Sequence, residues 1–230
     1  MKPDVALLRQ EGAMDKKSSS EFIKAMRASS SQKKFIQMVD LVVNLQDLDF
    51  KKPDHQIDFY VTMPYAGKKK RIAALVDVDM YEEAKTACDV AIPLHQFEEF
   101  SKDKKKIKKL ARQNDYFIAQ STLMQKIAAT FGRVLGPKNK MPNPKAGCVV
   151  APKTALKPLY ERLQRTLRVL ARNKPILQLC IGKEDMTDEQ LSDNLFAVYD
   201  QLVHHLPKEK NNIKSVYLKT TMGKPVKVEV

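Results

Sequence analysis

The stretch IAALVDVDMYEEAKTACDVAIP (Ile72–Pro93) decides the fold class of this chain. It opens on a nearly continuous apolar run, Ile72–Val76, which is typical of a strand buried on both faces of a sheet. A short helix and a short strand follow, and the alternation continues with a helix over 96–112 and a strand at Tyr116–Ala119. Strands and helices that alternate at this spacing predict a parallel, doubly wound α/β unit.

The segment before this unit follows a different pattern. Val39–Leu45 and Ile57–Met63 alternate apolar and polar residues with a period of two, as half-buried strands do. A single polar loop joins them, so we expect these two strands to pair with each other antiparallel. Ahead of them, short helices are predicted at Val5–Gln10 and at Glu21–Ala28, the second with Ser20 as its cap.

The C-terminal third returns to mixed helices and strands. Leucines spaced three and four apart predict a helix from Leu156 to Leu170. Apolar runs predict strands at Ile176–Ile181 and Ile213–Thr220, and a capping box that begins at Thr187 opens a helix between them.

These segments together predict the α/β fold class with two domains. The first is a split α+β domain that contains both termini, over residues 1–66 and 153–230. The second is an inserted, doubly wound (Rossmann-like) α/β domain over residues 67–152. The chain crosses between them twice, near 63–71 and 147–153, and these crossings are expected to act as a hinge.

Positive charge is the strongest feature of the composition. The chain of 230 residues has a formal net charge of +14, and eleven lysines and arginines against one carboxylate, Glu161, lie between Arg133 and Lys174. This stretch includes FGRVLGPKNKMPNPKAG (Phe131–Gly147), whose prolines and cations predict a surface loop that adds nothing to a core. Its positive field attracts polyanions, so nucleic acid is the first partner to consider.

Several other classes of protein lack support in the sequence. It contains no run of 18 apolar residues and no signal peptide, so no membrane partner is expected. Cys88, Cys148 and Cys180 form no CxxC pair, which favours a reducing, cytoplasmic location. Phosphate-binding glycine motifs, hydrolase motifs and metal-ligand clusters are also absent, so we expect no enzyme activity, catalytic residue, metal or cofactor.

Three alternatives stay open at this point. A nucleotide-dependent enzyme could use the α/β insert, and a protein with only nonspecific affinity for polyanions would carry the same net charge. The lysine-rich segment Ser101–Arg112 is as consistent with a solvated helix face as with direct RNA contact.

Three motifs together resemble one known family. They are FGRVLGPKNKMPNPKAG (Phe131–Gly147), IKSVYLKTTMGKPVKVEV (Ile213–Val230) and KKFIQMVDLVVNLQDLD (Lys33–Asp49). The chain resembles the L-one stalk family of large-subunit ribosomal proteins, in its archaeal form, from about Glu21 to the end. The resemblance implies a split RNA-binding domain with an inserted α/β domain on a hinge.

The family also implies a function. Its members bind large-subunit ribosomal RNA as part of a mobile stalk of the large ribosomal subunit, in the cytoplasm. That stalk assists release of deacylated transfer RNA from the exit site, and many members repress translation of their own messenger RNA. The resemblance therefore implies ribosomal RNA and exit-site transfer RNA as partners, with the chain's own message as a further one.

Candidate RNA-binding residues follow from the resemblance and from the charge pattern. The resemblance implies Lys34, Phe35, Asp40, Thr221, Met222 and Gly223, and less directly Arg172 and Lys174. The predicted helix Leu156–Leu170 adds Arg162 and Arg165, since arginine can bind phosphates through two hydrogen bonds. Secondary RNA contacts are expected at Arg133, Lys138, Lys140 and Lys145.

The expected arrangement of these residues is specific. The arginine-rich segment 162–174 is predicted to lie in the split domain, beside Phe35 and the Thr221–Gly223 turn. Phe35 itself has two interpretations. If the alternation of Val39–Leu45 extended back to it, Phe35 would face the core with Val39, whereas the resemblance places it against RNA.

Overall fold

The computed structural model describes residues 16–30, 33–52, 55–152, 154–172 and 174–228. Its α-helices are α1 (Lys16–Ser29), α2 (Tyr81–Ala87), α3 (Phe97–Lys102), α4 (Lys104–Gln113), α5 (Met124–Leu135), α6 (Leu156–Arg165) and α7 (Asp188–His205). Its strands are β1 (Met38–Leu45), β2 (Ile57–Thr62), β3 (Ile72–Val76), β4 (Val90–Pro93), β5 (Tyr116–Gln120), β6 (Val149–Val150), β7 (Thr166–Ala171), β8 (Ile176–Lys183), β9 (Ile213–Thr220) and β10 (Val226–Val228).

The two predicted N-terminal helices have different outcomes. The helix predicted at Val5–Gln10 lies outside the described residues. The second helix exists but begins at Lys16, so Ser20 lies within α1 and does not cap it. Ile23 and Met26, one turn apart on α1, are buried in the core.

The described chain packs as two compact units. Unit 1 contains the residues up to Lys68 and those from Leu167 onward, and unit 2 contains Lys69–Thr166. Each unit has its own hydrophobic core, since the two largest clusters of buried side chains share no residue.

Unit 1 is built on a four-stranded antiparallel sheet in the order β10-β9-β1-β8. Alternate residues of β1, among them Val39, Leu41 and Val43, are completely buried. Helix α7 opens with the predicted capping box, in which the Thr187 hydroxyl accepts the Gln190 N–H at 3.3 Å. The predicted period of two and the capping box are therefore confirmed.

The expected pairing of β1 with β2 is wrong. Strand β1 lies between β8 and β9, while β2 pairs with β7 in a separate two-stranded sheet. Both edges of β1 are occupied by strands from the C-terminal third, so its neighbour in sequence has no free edge to join. The two-stranded sheet still contributes Ile57, Phe59 and Val61 to the core of unit 1.

Unit 2 contains a four-stranded parallel sheet in the order β4-β3-β5-β6. All five residues of β3 are buried, as the apolar run Ile72–Val76 predicts. Strand β3 lies between β4 and β5, and all three pairings are parallel, so the predicted parallel sheet is confirmed.

Two predictions within unit 2 need correction. The helix predicted over 96–112 is broken at Asp103, whose carboxylate accepts the Lys105 N–H at 2.9 Å and so caps α4. The motif Phe131–Gly147 is not wholly a surface loop, because Phe131 and Leu135 belong to α5 and are completely buried. The ring of Phe131 packs edge-on against Phe97, with ring centres 5.3 Å apart.

The leucine-rich helix ends early and lies in the other unit. Helix α6 stops at Arg165, and Thr166 begins strand β7. The Thr166 hydroxyl donates to the Arg162 carbonyl at 2.9 Å, and its backbone is extended. A β-branched residue whose hydroxyl takes a carbonyl of the last turn favours this exit from the helix.

Helix α6 packs within unit 2, although the sequence places it in the split domain. The Leu156 N–H donates to a Glu83 carboxylate oxygen at 2.7 Å at the start of the helix. At its end the Gln164 amide exchanges two hydrogen bonds with the backbone of Lys70, at 2.6 and 2.8 Å. These polar contacts hold α6 at both ends, so the second chain crossing lies at 166–167 and not at 147–153.

Candidate nucleic-acid interface

One end of the unit 1 sheet brings the main candidate residues together. Strand β1 starts at Met38 and is antiparallel to β8 and β9, which end at Lys183 and Thr220. The segment Lys33–Gln37 before β1 and the turn Thr221–Gly223 after β9 therefore meet at this end. We call these two segments the loop-and-turn cluster.

Thr221 fastens the turn to the first strand. Its backbone N–H donates to the Met38 carbonyl at 3.0 Å, and its hydroxyl oxygen accepts the Met38 N–H at 3.1 Å. The same hydroxyl lies 3.3 Å from the Met38 carbonyl, to which it can donate. The Thr221 hydroxyl is thus hydrogen-bonded within the protein, and these bonds fix the position of the turn.

Gln37 is the second fastening point of the cluster. Its side chain is buried, and its amide oxygen accepts the Met222 N–H at 3.0 Å. Its backbone exchanges hydrogen bonds with Glu184, whose N–H donates to the Gln37 carbonyl at 2.9 Å. Arg27 in turn pairs with Asp188 at 2.7 Å and donates to the Glu184 carbonyl at 3.0 Å. The cluster is therefore held by a connected polar network.

The network presents apolar side chains to the outside. Phe35, Ile36 and Met222 are 54%, 60% and 65% exposed, which is unusual for side chains of this size. The interpretation of Phe35 as a core residue is wrong, because β1 begins only at Met38 and the strand parity does not reach back to it. Lys33 and Lys34 beside Phe35 are also exposed. Aromatic, apolar and cationic groups at one fixed edge form a surface that can stack on bases and contact phosphates.

Gly223 closes the turn where a side chain has no room. A Cβ atom at this position would lie 2.2 Å from the Thr220 hydroxyl oxygen. The Gly223 N–H donates to the Thr220 carbonyl at 3.1 Å, so the tight turn is also hydrogen-bonded.

Asp40 lies one step along the sheet from this cluster. It is half-buried on β1, opposite Lys219 on β9 and Cys180 on β8. Burial raises the pKa of the Asp40 carboxyl, and the charge of Lys219 opposes that shift only in part. Its carboxylate and the Lys219 ammonium mark the start of the sheet face that is turned away from the core.

The basic turn after β7 lies at the other end of the sheet. Pro175, which follows Lys174, accepts the Leu45 N–H at 2.8 Å, at the end of β1 opposite Met38. The eight residues of β1 separate the two ends by roughly 24 Å. The expectation that Arg172 and Lys174 lie beside Phe35 is therefore wrong.

Arg172 has a partner within unit 1. One of its guanidinium nitrogens lies 2.6 Å from the Asp58 carboxylate, which also receives two hydrogen bonds from Arg168 at 2.8 and 2.9 Å. Burial alone would raise the pKa of Asp58, but the hydrogen bonds and charges of the two arginines outweigh it and lower that pKa. Arg172 is still 47% exposed, so part of its guanidinium faces outward.

Arg162 and Arg165 belong to unit 2 and not to the split domain. Arg162 lies over Gly147, where an added Cβ would meet its guanidinium at 3.4 Å. Gly147 has a positive φ of 72°, which explains the glycine at the end of the proline-rich motif. Both arginines are exposed.

The four secondary candidates divide into three groups within unit 2. Arg133 and Lys138 line one groove, and Lys145 is exposed on a short 3₁₀ turn that Asn143 caps. Lys140 is used inside the protein, because its ammonium donates to the carbonyls of Ala111 and Asn114 at 3.0 and 2.6 Å.

Comparison with known proteins identifies the family. A model of the ribosomal protein L1p/L10e family matches residues 25–224. The chain belongs to that family. It is 40% identical over 220 residues to the large ribosomal subunit protein uL1 of Thermococcus kodakarensis, covering 94% of this chain and 99% of that protein. Proteins of the same name from Methanobrevibacter smithii and Pyrococcus horikoshii are 40% and 37% identical, over 90% and 94% of this chain and 97% and 98% of theirs.

Membership in the L1p/L10e family confirms part of the functional expectation. The chain is a structural protein associated with the large ribosomal subunit and not an enzyme. Within the described ranges, no group of three or more His, Cys, Asp or Glu side chains is placed to hold a metal ion. No helix among the described residues is long and apolar enough to cross a membrane.

Sequence reasoning missed the residues that hold the L1p/L10e loop-and-turn cluster in place. Gln37 lies within the motif Lys33–Asp49 but was not assigned a role, and Glu184 and Arg27 lie outside all three motifs. Ile36 was missed as well, although the apolar pair Phe35 and Ile36, one residue ahead of a strand that starts at Met38, is a detectable signal once the start of that strand is known.

Proposed function

We propose that the chain binds large-subunit ribosomal RNA through the loop-and-turn cluster of unit 1. The observation that carries this proposal is the exposure of Phe35 and Met222 on a hydrogen-bonded frame made by Gln37 and Thr221. An exposed apolar patch on a rigid edge loses little entropy on binding and indicates a binding surface. Neighbouring cations add the electrostatic attraction that RNA binding requires.

The candidate residues contribute in different ways. Phe35 stacks on or wedges against a base, and Met222 lays a flexible apolar surface on a base or ribose. Gly223 lets the backbone come close to the RNA, while Lys34 contacts phosphate. Asp40 faces the adjoining sheet surface, where a carboxylate can accept a 2′-hydroxyl hydrogen bond. Arg172 and Lys174, at the far end of β1, then bind a different part of the same RNA.

Substitution of the two apolar residues tests the proposal. The probe is a fragment of large-subunit ribosomal RNA from the stalk region, called the ribosomal RNA fragment below. We expect Phe35→Ala and Met222→Ala each to weaken its binding by about 1–3 kcal/mol, the usual effect of removing one stacking or base contact. Isothermal titration calorimetry with that fragment measures the change. Val78→Ala is the matched control, because Val78 is a 66% exposed apolar residue of unit 2, outside the unit that carries the loop-and-turn cluster.

Unchanged affinity in both folded variants would remove the loop-and-turn cluster as the RNA site. A loss of affinity equal to that of Val78→Ala would show a general effect of exposed apolar area and would also contradict the proposal.

We further propose that the two units are domains of a mobile stalk protein in the cytoplasmic ribosome. The stalk assists release of deacylated transfer RNA from the exit site, and the same surface represses translation of the chain's own message. Membership in the family supports these finer roles. Ribosomes reconstituted with Phe35→Ala should then release transfer RNA more slowly, and the free variant should repress its message less. Wild-type behaviour in either assay would contradict that role.

A further inference from the structure

A cationic groove lies in unit 2 between α4 and residues 133–138, which comprise the end of α5 and the residues just after it. It has a volume of about 700 Å³. Six of its lining residues are cations: Lys105, Lys108, Lys109 and Arg112 from α4, and Arg133 and Lys138 from the opposite wall. No carboxylate is among the described residues that line it. We call this feature the lysine groove.

One wall of the lysine groove is a single face of α4. Its four cations follow the spacing i, i+3, i+4 and i+7, which places them on one side of a helix over roughly 10 Å along the axis. Ile107, Leu110 and Ala111 bury the opposite side of α4 and fix its rotation. The Asp103 cap fixes the point at which this helix begins.

The opposite wall is held in place by Lys140. Its ammonium donates to two carbonyls at the end of α4, those of Ala111 and Asn114. The Lys140 N–H donates to the Leu135 carbonyl at 3.0 Å, and Asn139 takes a positive φ of 54° to make this turn. Lys138, one residue before Asn139, is therefore carried on a turn that is tied directly to α4.

The charges of the lysine groove have no carboxylate partner among the described residues. All six side chains are exposed to solvent, and the two walls bring them together around one groove. Like charges gathered in this way repel each other, and a polyanion relieves that repulsion.

We propose that the lysine groove is a second RNA site, which binds the phosphodiester backbone without reading its sequence. The proposal depends on the proposed function for the class of its partner. Phosphates spaced along a strand match a row of cations, and the guanidinium groups of Arg112 and Arg133 can each bind a phosphate through two hydrogen bonds. Val134 and Pro137 supply the apolar part of the lining, against which lysine stems and riboses pack.

The test compares two variants of the full chain that lose the same charge. The groove variant carries Lys105→Gln, Lys108→Gln, Lys109→Gln and Arg112→Gln. The control variant carries Lys85→Gln, Lys102→Gln, Lys104→Gln and Lys157→Gln, which replace exposed lysines of unit 2 outside the groove lining. The probe is a short double-stranded RNA of arbitrary sequence, and its affinity is measured over a series of salt concentrations. Circular dichroism confirms that both variants fold.

The groove variant should bind the arbitrary duplex at least about tenfold more weakly at low salt. Its slope of log affinity against log salt should fall by about 3, because each lost phosphate contact removes roughly 0.7–0.9 from that slope. Equal effects in the two variants would show diffuse charge attraction and overturn the proposal. An unchanged duplex affinity, with loss of binding only to vesicles that contain phosphatidylserine, would also overturn it in favour of an anionic lipid surface.

Failure of this proposal is distinguishable from failure of the proposed function. Phe35→Ala should weaken binding of the ribosomal RNA fragment and leave arbitrary duplex RNA nearly unaffected. If Phe35→Ala has this effect while the groove variant behaves as its control does, the loop-and-turn cluster stands and the groove proposal falls. The reverse result would retain the groove and remove the cluster.

Discussion

At the scale of single residues, the candidate interface depends on small contacts behind the exposed side chains. Phe35 and Met222 are exposed next to a frame in which Gln37 and Thr221 are hydrogen-bonded across the end of the sheet. A fixed frame of this kind keeps apolar groups in contact with water when no partner is bound. This exposure is unfavourable, and a partner that covers the apolar groups removes its cost.

The turn also sets a strict limit on residue size at position 223. We expect Gly223→Ala to lower the free energy of unfolding by about 1–3 kcal/mol, because its Cβ would lie 2.2 Å from the hydroxyl oxygen of the buried Thr220. Denaturant unfolding measures the change. Adding Thr220→Ala should recover part of the loss, since it removes the atom that clashes.

Gly132→Ala provides the matched control for Gly223→Ala. An added Cβ at Gly132 meets nothing within 4 Å, and the residue lies within helix α5. This control should raise the free energy of unfolding by about 0.5–1 kcal/mol, because alanine favours the helix. Wild-type stability of Gly223→Ala would show that the turn can open without cost.

At the scale of secondary-structure elements, charged hydrogen bonds link strands β2 and β7. Asp58 on β2 accepts two hydrogen bonds from Arg168 on β7 and a third from Arg172 just beyond it. The Arg168 guanidinium also lies over the Tyr60 ring, 5.5 Å from its centre. The pair of strands is short, so these contacts supply much of its specificity of pairing.

Asp58→Asn should therefore destabilise the protein in a pH-dependent way. At neutral pH we expect a loss of about 1–3 kcal/mol in the free energy of unfolding, since charged hydrogen bonds become neutral ones. The pKa of folded Asp58 lies below its ordinary value of 3.8. The stabilisation by Asp58 is thus complete above the pKa of the unfolded chain and disappears as the pH falls through the folded pKa.

Urea unfolding of both proteins from neutral pH down to pH values below 3.8 measures this difference. Asp47→Asn is the control, because Asp47 and its partner Lys208 are both 62% exposed and 3.9 Å apart. That change should alter stability by less than about 1 kcal/mol at any pH. A difference between wild type and Asp58→Asn that stays constant over the pH range would contradict the role of the charge.

At the scale of the whole molecule, the chain forms two units with separate cores and different charge patterns. Unit 1 carries the loop-and-turn cluster, and unit 2 carries the lysine groove. Our two proposals thus place recognition of a particular RNA fold in unit 1 and general attraction to phosphates in unit 2.

Unit 1 alone should retain binding to the ribosomal RNA fragment. In this variant a short Gly-Ser linker replaces residues 69–166, the range that packs as unit 2. We expect nearly the full affinity for the fragment and a much weaker affinity for arbitrary duplex RNA. Nuclear magnetic resonance spectra establish that the shortened chain folds. A folded unit 1 that no longer binds the fragment would show that unit 2 carries the primary affinity.

Much of the local structure was predictable from the sequence. The period of two in Val39–Leu45, the buried run Ile72–Val76 and the Thr187 capping box are all present as expected. Each of these features is encoded in a short run of residues, as a hydrophobic period or a cap, so it can be predicted without knowing which distant segments meet. The main RNA candidates, Phe35 and Met222, were found by resemblance and not by periodicity, which left Phe35 undecided between core and surface.

Only the tertiary structure decided which distant segments meet. Strand β1 pairs with β8 and β9 and not with β2, α6 joins unit 2, and Lys174 lies at the far end of β1 from Phe35. Each of these outcomes rests on hydrogen bonds and buried contacts between residues far apart in the chain. The sequence by itself determined the periodic elements and the excess of positive charge. The tertiary structure separated that charge into two surfaces, because long-range pairing fixes where each cation lies.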